Sequence, residues 1–397
     1  MKGLEDVEVD GRRVLVRVDF NVPLADGRIV DDTRIRAALP TIQRLRERGA
    51  RVILASHLGR PKGADPALSM AVVAERVAQL TGAPVEAATD VVGPSARAGV
   101  ERLAPGGILM LENVRFEPGE TANDPELSRA LAALADVYVD DAFGSAHRAH
   151  ASTEGVTHFV GELAAGLLLE REVRQLGALL ADPARPLVAV LGGSKVTDKI
   201  GVIERFGELA DTILIGGAMC FPFLRAQGHA VGASLCEEAG VEPARLALGE
   251  AGGRTPGGRA VLELPVDLAL ADHIGADAAR RELDGVEVPD GWIGLDIGAR
   301  TAARYGERIA AAATVFWNGP MGMFELDAFA DGTRAVAEAV AVAPGVTVVG
   351  GGDSLAALAR FADPASVTHL STGGGATLEL IEGRTLPGVA ALERGAR

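Results

Sequence analysis

The sequence predicts an α/β protein made of two doubly wound parallel-sheet domains joined by a long helix. Short apolar runs alternate along the chain with Ala-, Leu-, Arg- and Glu-rich segments of helical period, which is the pattern of βαβ units. The apolar runs show little alternation with polar residues, as is typical of strands covered on both faces. A long helical stretch at 161–180 separates four candidate strands from six later ones, so a domain is expected on each side of it.

The individual elements follow from these runs and from the turns between them. Candidate strands lie at 14–18, 52–55, 107–111, 137–139, 187–191, 212–215, 292–295, 314–317, 347–350 and 367–370. Candidate helices lie at 34–48, 67–81, 124–135, 199–210, 299–312, 327–342 and 354–362. We expect an N-terminal domain at 1–160, a connecting helix at 161–182, a second domain at 183–380 and a C-terminal segment at 381–397. The glycine-rich stretch at 251–259 predicts a mobile surface turn.

The charge balance excludes several classes of function. The chain has 397 residues with 39 basic and 54 acidic side chains, a net charge of −15. This argues against general affinity for nucleic acid or for an anionic membrane surface. No apolar run approaches the roughly 18 residues of a membrane span, and the N-terminal residues lack the apolar core of a signal peptide. Cys220 and Cys236 form no disulfide framework or metal-ligand pattern, so we expect a cytoplasmic protein.

Basic side chains follow the candidate strands of the first half. The strands are followed in chain order by Asp19, Asn21, His57, Arg60, Arg115, His147, Arg148 and His150, and Arg34 opens a helix near the same edge. Ligands of open α/β sheets bind beyond the carboxyl ends of the strands, and arginine has a planar fork that matches carboxylate and phosphate. The set therefore predicts a site for a small polyanion. Gly59 supplies the turn that this site needs.

Glycine-rich turns follow the strands of the second half, at 192–195, 216–218, 296–298, 318–322, 351–354 and 371–375. Such turns at helix N-termini present free N–H groups that favour phosphate. Lys195 and Lys199 add cations for a transferring phosphoryl group, and Asp353 adds a candidate Mg²⁺ ligand. None of the turns fits GxxxxGK[ST], or GxGxxG with an acidic residue downstream. The turns therefore predict a nucleotide phosphate site of another kind.

A polyanion site and a nucleotide site on separate domains predict phosphoryl transfer with hinge closure of a bilobal protein. Closure removes water that would otherwise hydrolyse the phosphoryl donor. Two other functions share the fold class. A nicotinamide-dependent dehydrogenase would need the fingerprint glycines and leaves the arginines and Lys195 unexplained. A non-catalytic binding protein with closing lobes would keep the arginines but has no need of Lys195 together with Asp353.

Nine segments also resemble those of the phosphoglycerate kinase family, in the expected order from end to end. They are VRVDFNVPL (16–24), TRIRAALPTI (33–42), ASHLGRPKG (55–63), LENVRFEPGE (111–120), DDAFGSAHRAHAST (140–153), LGGSKVTDKI (191–200), WNGPMGMFE (317–325), GGGDS (350–354) and STGGGATLELIEG (371–383). The resemblance implies the glycolytic, Mg²⁺-dependent reaction of 1,3-bisphosphoglycerate and ADP to give 3-phosphoglycerate and ATP. It also implies a monomer of two Rossmann-like lobes whose C-terminal residues return to the N-terminal lobe.

The resemblance assigns roles to particular residues. It implies 3-phosphoglycerate binding by Asp19, Phe20, Asn21, Arg34, His57, Leu58, Gly59, Arg60, Arg115 and Arg148. It implies nucleotide binding by Ser194, Lys195, Lys199, Gly298, Glu325, Gly351, Gly352, Asp353 and Ser354. Arg34 and Lys195 are the catalytic residues that it implies beside the transferred group, and Asp353 serves the metal. Ala218 and Pro222 depart from the family pattern where the adenine pocket is expected.

Overall fold

The structure is a computed structural model that describes residues 1–249, 255 and 258–394. The chain divides into two compact units: unit 1 comprises Met1–Arg174 with the chain from Thr385 onward, and unit 2 comprises Gln175–Arg384. Most of the turn predicted at 251–259, and the last three residues of the segment predicted at 381–397, lie outside the described residues.

Strands and helices alternate along most of the chain. The strands are β1 (Arg13–Arg17), β2 (Leu24–Ala25), β3 (Arg28–Ile29), β4 (Arg51–Ala55), β5 (Val85–Ala87), β6 (Ile108–Met110), β7 (Val137–Asp140), β8 (Leu163–Ala165), β9 (Leu187–Leu191), β10 (Thr212–Ile215), β11 (Val261–Glu263), β12 (Leu268–Ala271), β13 (Arg280–Leu283), β14 (Ile293–Ile297), β15 (Thr314–Asn318), β16 (Val346–Gly350) and β17 (His369–Ser371). The helices are α1 (Thr33–Glu47), α2 (Ala71–Thr81), α3 (Pro94–Arg102), α4 (Pro125–Ala132), α5 (Leu167–Ala181), α6 (Ile200–Leu209), α7 (Cys220–Ala226), α8 (Val241–Leu248), α9 (Ala299–Ala310), α10 (Asp331–Ala341), α11 (Gly352–Phe361), α12 (Gly375–Ile381) and α13 (Pro387–Arg394).

Unit 1 is built on a parallel sheet of six strands in the order β5-β6-β4-β1-β7-β8. Val16 of β1 lies opposite Leu54 of β4 on one side and Val139 of β7 on the other. All three are fully buried, as expected for strands covered on both faces. Because these strands run in the same direction, the loops after β1, β4, β6 and β7 leave the sheet at the same edge.

The last described helix belongs to unit 1. Within α13, Gly388 N donates a hydrogen bond to Ala146 O at 2.9 Å. Arg394 Nη2 forms an ion pair with Glu154 Oε1 at 2.6 Å. The chain therefore leaves unit 1 after its first 174 residues and completes it after unit 2 has been built.

Unit 2 is built on a second parallel sheet of six strands, in the order β11-β10-β9-β15-β16-β17. Its central strands are fully buried, and Phe316 of β15 packs on Phe206 of α6 with ring centroids 5.0 Å apart. The two parallel sheets with their covering helices confirm the predicted α/β class. No helix within the described ranges is long and apolar enough to span a bilayer.

One predicted strand is confirmed but belongs to another sheet, and one predicted helix boundary is wrong. The candidate strand at 292–295 forms β14, which pairs antiparallel with β12 in a separate sheet of order β13-β12-β14. The helix predicted from 161 begins only at Leu167, because residues Leu163–Ala165 pair with β7 as an edge strand. Asp141 Oδ1 then accepts Leu168 N at 2.9 Å and Leu169 N at 3.3 Å, which fixes the start of α5.

Candidate active site

The loop after β1 is joined to the loop after β4 by two hydrogen bonds. Phe20 N donates to Ser56 Oγ at 2.9 Å, and Gly59 N donates to Asn21 Oδ1 at 2.8 Å. The Phe20 side chain is fully buried and anchors the loop in the core. These bonds hold the polar residues of both loops at the edge where the strands end.

Gly59 makes the close turn that the sequence predicts. Its φ is +66°, and a Cβ there would lie 3.0 Å from the Leu68 side chain, so both conformation and space favour glycine. The carbonyl of Gly59 accepts Arg115 Nη1 at 2.6 Å. Beside it, Asn113 Oδ1 accepts Leu58 N at 3.2 Å, and Asn113 Nδ2 donates to Leu58 O at 2.8 Å. The turn is therefore held by side chains that follow β6.

Cationic and imidazole side chains gather around these loops, and we call them the basic rim: Arg34, His57, Arg60, Arg115 and Arg148. Their mutual influence is clearest at Arg115, which is half-buried. Burial lowers the pKa of its guanidinium first, and repulsion from Arg148, Arg17 and Arg60 lowers it further. Like charges are costly to hold together without an anion, so this crowding favours a negatively charged ligand.

Asp19 lies against the basic rim. Its Oδ2 accepts Arg34 Nη1 at 3.0 Å, and its side chain is 10% exposed. Burial alone would raise the pKa of this carboxyl, but nearby positive charge, including that of Arg34 and Arg17, outweighs burial and holds the pKa below its usual value. Asp19 therefore stays ionised and orients Arg34, the second residue of α1.

His57 is a neutral member of the basic rim. Burial lowers the pKa of its imidazole to about 3, and Arg17, Arg115 and Arg34 act in the same direction against the opposing effect of Asp19. Near neutral pH the ring therefore contributes a hydrogen bond but no charge. Arg148 is exposed, and its Nε donates to His147 Nε2 at 3.1 Å.

Unit 2 has a cavity of about 200 Å³ beyond the carboxyl ends of β9, β15 and β16. Most of the predicted nucleotide residues line it: Ser194, Lys195, Lys199, Gly351, Gly352, Asp353 and Ser354. Lys199 Nζ donates to Asn318 O at 3.0 Å and also to Gly192 O. Burial lowers the pKa of Lys199 to about 8, although Asp353 and Asp198 partly oppose that change.

Main-chain groups of this cavity are fixed by side chains of residues that line it. Ser354 Oγ accepts Gly319 N at 2.6 Å, and Asn318 Nδ2 donates to Gly350 O at 2.8 Å. The helix α11 begins here with Gly351 at its N-cap position and Asp353 in its first turn. Asp353 is thus not the N-cap of the helix, and its carboxylate is exposed at the cavity.

The carboxylates of this cavity suit a magnesium ion that arrives with phosphate. Asp353 and Asp198 both line the cavity. Across the part of the chain that the structure describes, no group of three or more His, Cys, Asp or Glu side chains is arranged to hold a metal. Mg²⁺ typically takes one or two carboxylates and completes its shell with substrate phosphates and water. The residues present fit that mode and do not form a cage made only of protein ligands.

Two predicted nucleotide residues lie apart from the lining of this cavity. Gly298 is the N-cap of α9, and a Cβ there would lie 2.3 Å from Asp267 Cγ. Asp267 needs this space because its carboxylate accepts Arg300 N at 2.9 Å and Thr301 N at 2.8 Å. Gly298 lines another cavity, of about 350 Å³. Glu325 is exposed in the segment that follows β15.

The segment with the two departures from the family pattern leads into α7. Ala218 is half-buried in the turn before it, and Pro222 is buried in the first turn of the helix, where a proline costs no internal hydrogen bond. Sequence reasoning missed residues that hold the site together, among them Arg17, Asn113 and Asn318. A signal for Arg17 was present, because it is a charged residue inside the apolar run 14–18.

The two half-sites suit different phosphate compounds. The basic rim offers several cations and one neutral donor to a small ligand with many negative charges. The cavity of unit 2 offers the start of a helix, two lysines and two carboxylates, which are the groups that bind a polyphosphate with its metal. Together they supply the parts that phosphoryl transfer requires.

Comparison with known proteins gives one consistent family. The family model described as phosphoglycerate kinase matches residues 4–384. Curated proteins named phosphoglycerate kinase are similar from Moorella thermoacetica, with 54% identity and 98% of each chain covered, and from Roseiflexus castenholzii, with 53% identity and the same coverage. A solved structure of phosphoglycerate kinase from Coxiella burnetii has a TM-score of 0.88 and 39% identity, and it covers 100% of this chain and 99% of its own.

Proposed function

This chain belongs to the phosphoglycerate kinase family, and from that premise we propose that the basic rim binds 3-phosphoglycerate and the cavity of unit 2 binds ADP or ATP. The chain is a phosphotransferase of glycolysis that moves a phosphoryl group reversibly between 1,3-bisphosphoglycerate and ADP.

For 3-phosphoglycerate we propose ten contact residues: Asp19, Phe20, Asn21, Arg34, His57, Leu58, Gly59, Arg60, Arg115 and Arg148. The observation that carries the assignment is the crowding of like charge around Arg115, whose pKa is lowered by burial and by neighbouring guanidinium groups. A ligand such as 3-phosphoglycerate, whose phosphate and carboxylate together carry up to three negative charges, would relieve this repulsion. The exposed Arg60 and Arg148 remain available to it.

For the nucleotide we propose Ser194, Lys195, Lys199 and the turn Gly351–Ser354, all of which line one cavity. Free N–H groups at the start of α11 and the positive end of its dipole suit the phosphates. Glu325 and Gly298 stay predictions for the nucleoside, since neither lines that cavity. The same holds for the effect of Ala218 and Pro222 on the adenine pocket.

We assign the magnesium ion to Asp353, which would hold it together with the nucleotide phosphates. When bound, Mg²⁺ neutralises phosphate charge and orients the group that is transferred. The chain's own part is to present this carboxylate at a helix start without using it as the helix cap.

The reaction does not require a strong base from the protein, because the carboxylate of 3-phosphoglycerate is already a good nucleophile. Catalysis then consists of positioning the reactants and stabilising charge on the equatorial oxygens of the transferred group. We propose Arg34 from unit 1 and Lys195 from unit 2 for that stabilisation. Hinge closure of the two units during the reaction remains a prediction.

We further propose that the protein works as a cytoplasmic monomer and binds neither nucleic acid nor membrane. The net charge of −15 supports the second part of this proposal. Size-exclusion chromatography with light scattering tests the first part, and a stable dimer at micromolar concentration would contradict it.

A coupled assay tests the proposed function. We expect ADP to form from ATP only when 3-phosphoglycerate and Mg²⁺ are both present, and 1,3-bisphosphoglycerate to appear in equal amount. Binding of NAD in preference to Mg²⁺–ADP would instead favour a dehydrogenase. Binding of both ligands without turnover would favour a non-catalytic protein with the same two half-sites.

A further inference from the structure

A chain of buried polar side chains runs through unit 1 to His57. Its members are Glu120, Ser152 and Arg17, and each is only 1% exposed. None of the three is among the residues proposed above to contact substrate. Burying charged groups costs free energy unless they are paired and hydrogen-bonded. The hydrogen bonds of these three side chains therefore indicate the role of the chain that they form.

Ser152 connects the two charged members, and its contacts have one consistent polarity. Arg17 Nε donates to Ser152 Oγ at 2.8 Å, so the serine hydroxyl must donate in the other direction. It does so to Glu120 Oε1 at 2.6 Å, while Ser152 N donates to Glu120 Oε2 at 2.9 Å. Ser152 therefore binds both carboxylate oxygens of Glu120, and a lone pair of the Ser152 hydroxyl oxygen is held toward Arg17.

Arg17 in turn is held from three sides. Besides Ser152, its guanidinium donates through Nη1 to the carbonyl of Val18, and Nη2 lies 3.3 Å from His57 Nδ1. A guanidinium has donors only. His57 Nδ1 must therefore accept, and the single proton of the neutral ring then resides on Nε2.

The tautomer matters because His57 stays neutral. Burial, Arg17, Arg115 and Arg34 keep its pKa at about 3 despite the opposing charge of Asp19. A neutral ring with its proton on Nε2 can donate to a phosphate or carboxylate oxygen. A ring with its proton on Nδ1 would present a lone pair to the same anion and repel it.

We propose that Glu120, acting through Ser152 and Arg17, is a positioning residue that fixes His57 in its Nε2–H tautomer and so makes it a donor to 3-phosphoglycerate. The inference rests on the proposed function only for the identity of that ligand. The carboxylate of Glu120 orients Ser152, Ser152 orients the guanidinium, and the guanidinium selects the tautomer.

The tautomer can be read directly in the full-length wild-type protein. With histidine labelled by ¹⁵N, two-bond ¹H–¹⁵N correlation spectra distinguish the two neutral tautomers and the imidazolium, and the His57→Gln variant assigns the signals. We expect the Nε2–H pattern for His57, unchanged from about pH 8 to pH 5. The exposed His273, whose pKa is raised by hydrogen bonds to Asp277 and Asp272, should titrate in the same spectra. An Nδ1–H or charged His57 in that range would overturn the proposal.

Two variants test the relay, by which we mean the contacts that lead from Glu120 through Ser152 and Arg17 to His57. For Ser152→Ala and for Glu120→Gln, we expect KM for 3-phosphoglycerate to rise about tenfold with kcat nearly unchanged, because substrate and transition state lose the same contact. KM for ATP should not change, and the His57 spectrum should show a mixture of tautomers. Ser128→Ala is the matched control, since Ser128 is a buried serine of unit 1 whose hydroxyl donates to the main-chain oxygen of Asp124, at 2.8 Å.

The outcomes separate this inference from the proposed function. Unchanged KM and an unchanged His57 spectrum in Ser152→Ala would overturn the relay while leaving the enzyme assignment intact. If wild-type His57 has its proton on Nε2 but its signals do not change when 3-phosphoglycerate is added, the result would support the relay. It would contradict the proposal that His57 binds 3-phosphoglycerate. If neither variant folds, the wild-type spectrum alone still decides the tautomer.

Discussion

Arg34 and Lys195 are the two residues that we propose for charge stabilisation at the transferred group, and they differ in how firmly they are held. Arg34 is oriented by Asp19 at 3.0 Å, whereas Lys195 is exposed at the cavity of unit 2. An oriented guanidinium can bind two oxygens at once, while a lysine acts as a mobile point charge. Arg34 therefore suits a fixed contact in the transition state, and Lys195 suits a contact that moves with the phosphoryl group during transfer.

Replacement of Arg34 by alanine should lower kcat by at least about 10²-fold, because an arginine at a transferring phosphoryl group is typically worth 10³–10⁵ in rate. Thermal stability should barely change, since Arg34 is partly exposed. Steady-state kinetics against both substrates measure the effect. Arg36→Ala is the control, because Arg36 lies on the same helix and pairs with Asp32 on the surface. A near-normal kcat with only a raised KM would mean that Arg34 clamps the ground state.

The variant Asp353→Asn should keep α11 intact and weaken the use of Mg²⁺–nucleotide, because Gly351 occupies the N-cap position of that helix. Activity should fall most at low Mg²⁺ and recover in part as the ion is raised. Titrating Mg²⁺ at fixed ATP measures this. Asp331→Asn, which alters an acidic residue in the first turn of α10, should show no such dependence. Full activity of Asp353→Asn at low Mg²⁺ would remove Asp353 from the metal site.

At the scale of elements, the ends of the parallel strands could be predicted from sequence, and the smaller elements could not. The runs at 14–18 and 52–55 are apolar enough to mark β1 and β4 within a residue. By contrast, Arg280–Leu283 reads as a polar loop, and it becomes a strand only by pairing with β12. Leu163–Ala165 has the composition of the helix that follows it, so only its pairing with β7 distinguishes it. Pairing with a neighbouring strand determines whether such a segment forms a strand, because the local sequence pattern does not predict it.

The start of α5 carries a pH-dependent cost that can be measured. Burial raises the pKa of Asp141 to about 7, although the Thr41 hydroxyl and the N–H groups of Leu169 and Leu168 oppose it. The folded state thus binds this proton more tightly than the unfolded state does. The stability that the protonated carboxyl contributes is present below about pH 4 and is lost as pH rises to about 7.

Asp141→Asn keeps an oxygen for Leu168 N and Leu169 N and removes the charge. At pH 8 it should therefore be more stable than the wild type by up to about 4 kcal/mol, the free energy of a shift of about three pKa units, with no gain near pH 4. Urea denaturation across that range measures the difference. Asp136→Asn should behave in the opposite way, because Arg13 holds the pKa of Asp136 below its usual value. An equal effect of Asp141→Asn at both pH values would contradict the assignment.

At the scale of the whole molecule, the two proposed half-sites belong to two units that each have their own sheet and core. Each proposed half-site lies at the carboxyl edge of its own sheet. The sequence indicated this division because each half carries its own set of strand-end motifs. The family resemblance implied the chain's return to unit 1, but composition and periodicity could not show it, since the contacts of Gly388 and Arg394 depend on residues more than 200 positions earlier.

Ligands should therefore protect the units separately. With 3-phosphoglycerate alone, hydrogen exchange should slow in the loops at 56–60 and 113–116, while 193–199 and 350–354 should respond to Mg²⁺–ADP alone. A ligand stabilises whatever native unit binds it, by about 2.7 kcal/mol at a hundredfold excess over Kd. Exchange measured by mass spectrometry on the full chain tests this. Protection of the loop at 56–60 by Mg²⁺–ADP alone would show that the nucleotide contacts or couples to the basic rim.

The return of α13 to unit 1 sets an order for biosynthesis. A ribosome releases Met1–Arg174 long before it makes Thr385, and the intervening Gln175–Arg384 takes on the order of tens of seconds to translate. During that time the Ala146 carbonyl and the Glu154 carboxylate have no α13 to meet them. Unit 1 therefore lacks its last helix until the residues of unit 2 have been translated, so unit 1 can be completed only at the end of synthesis.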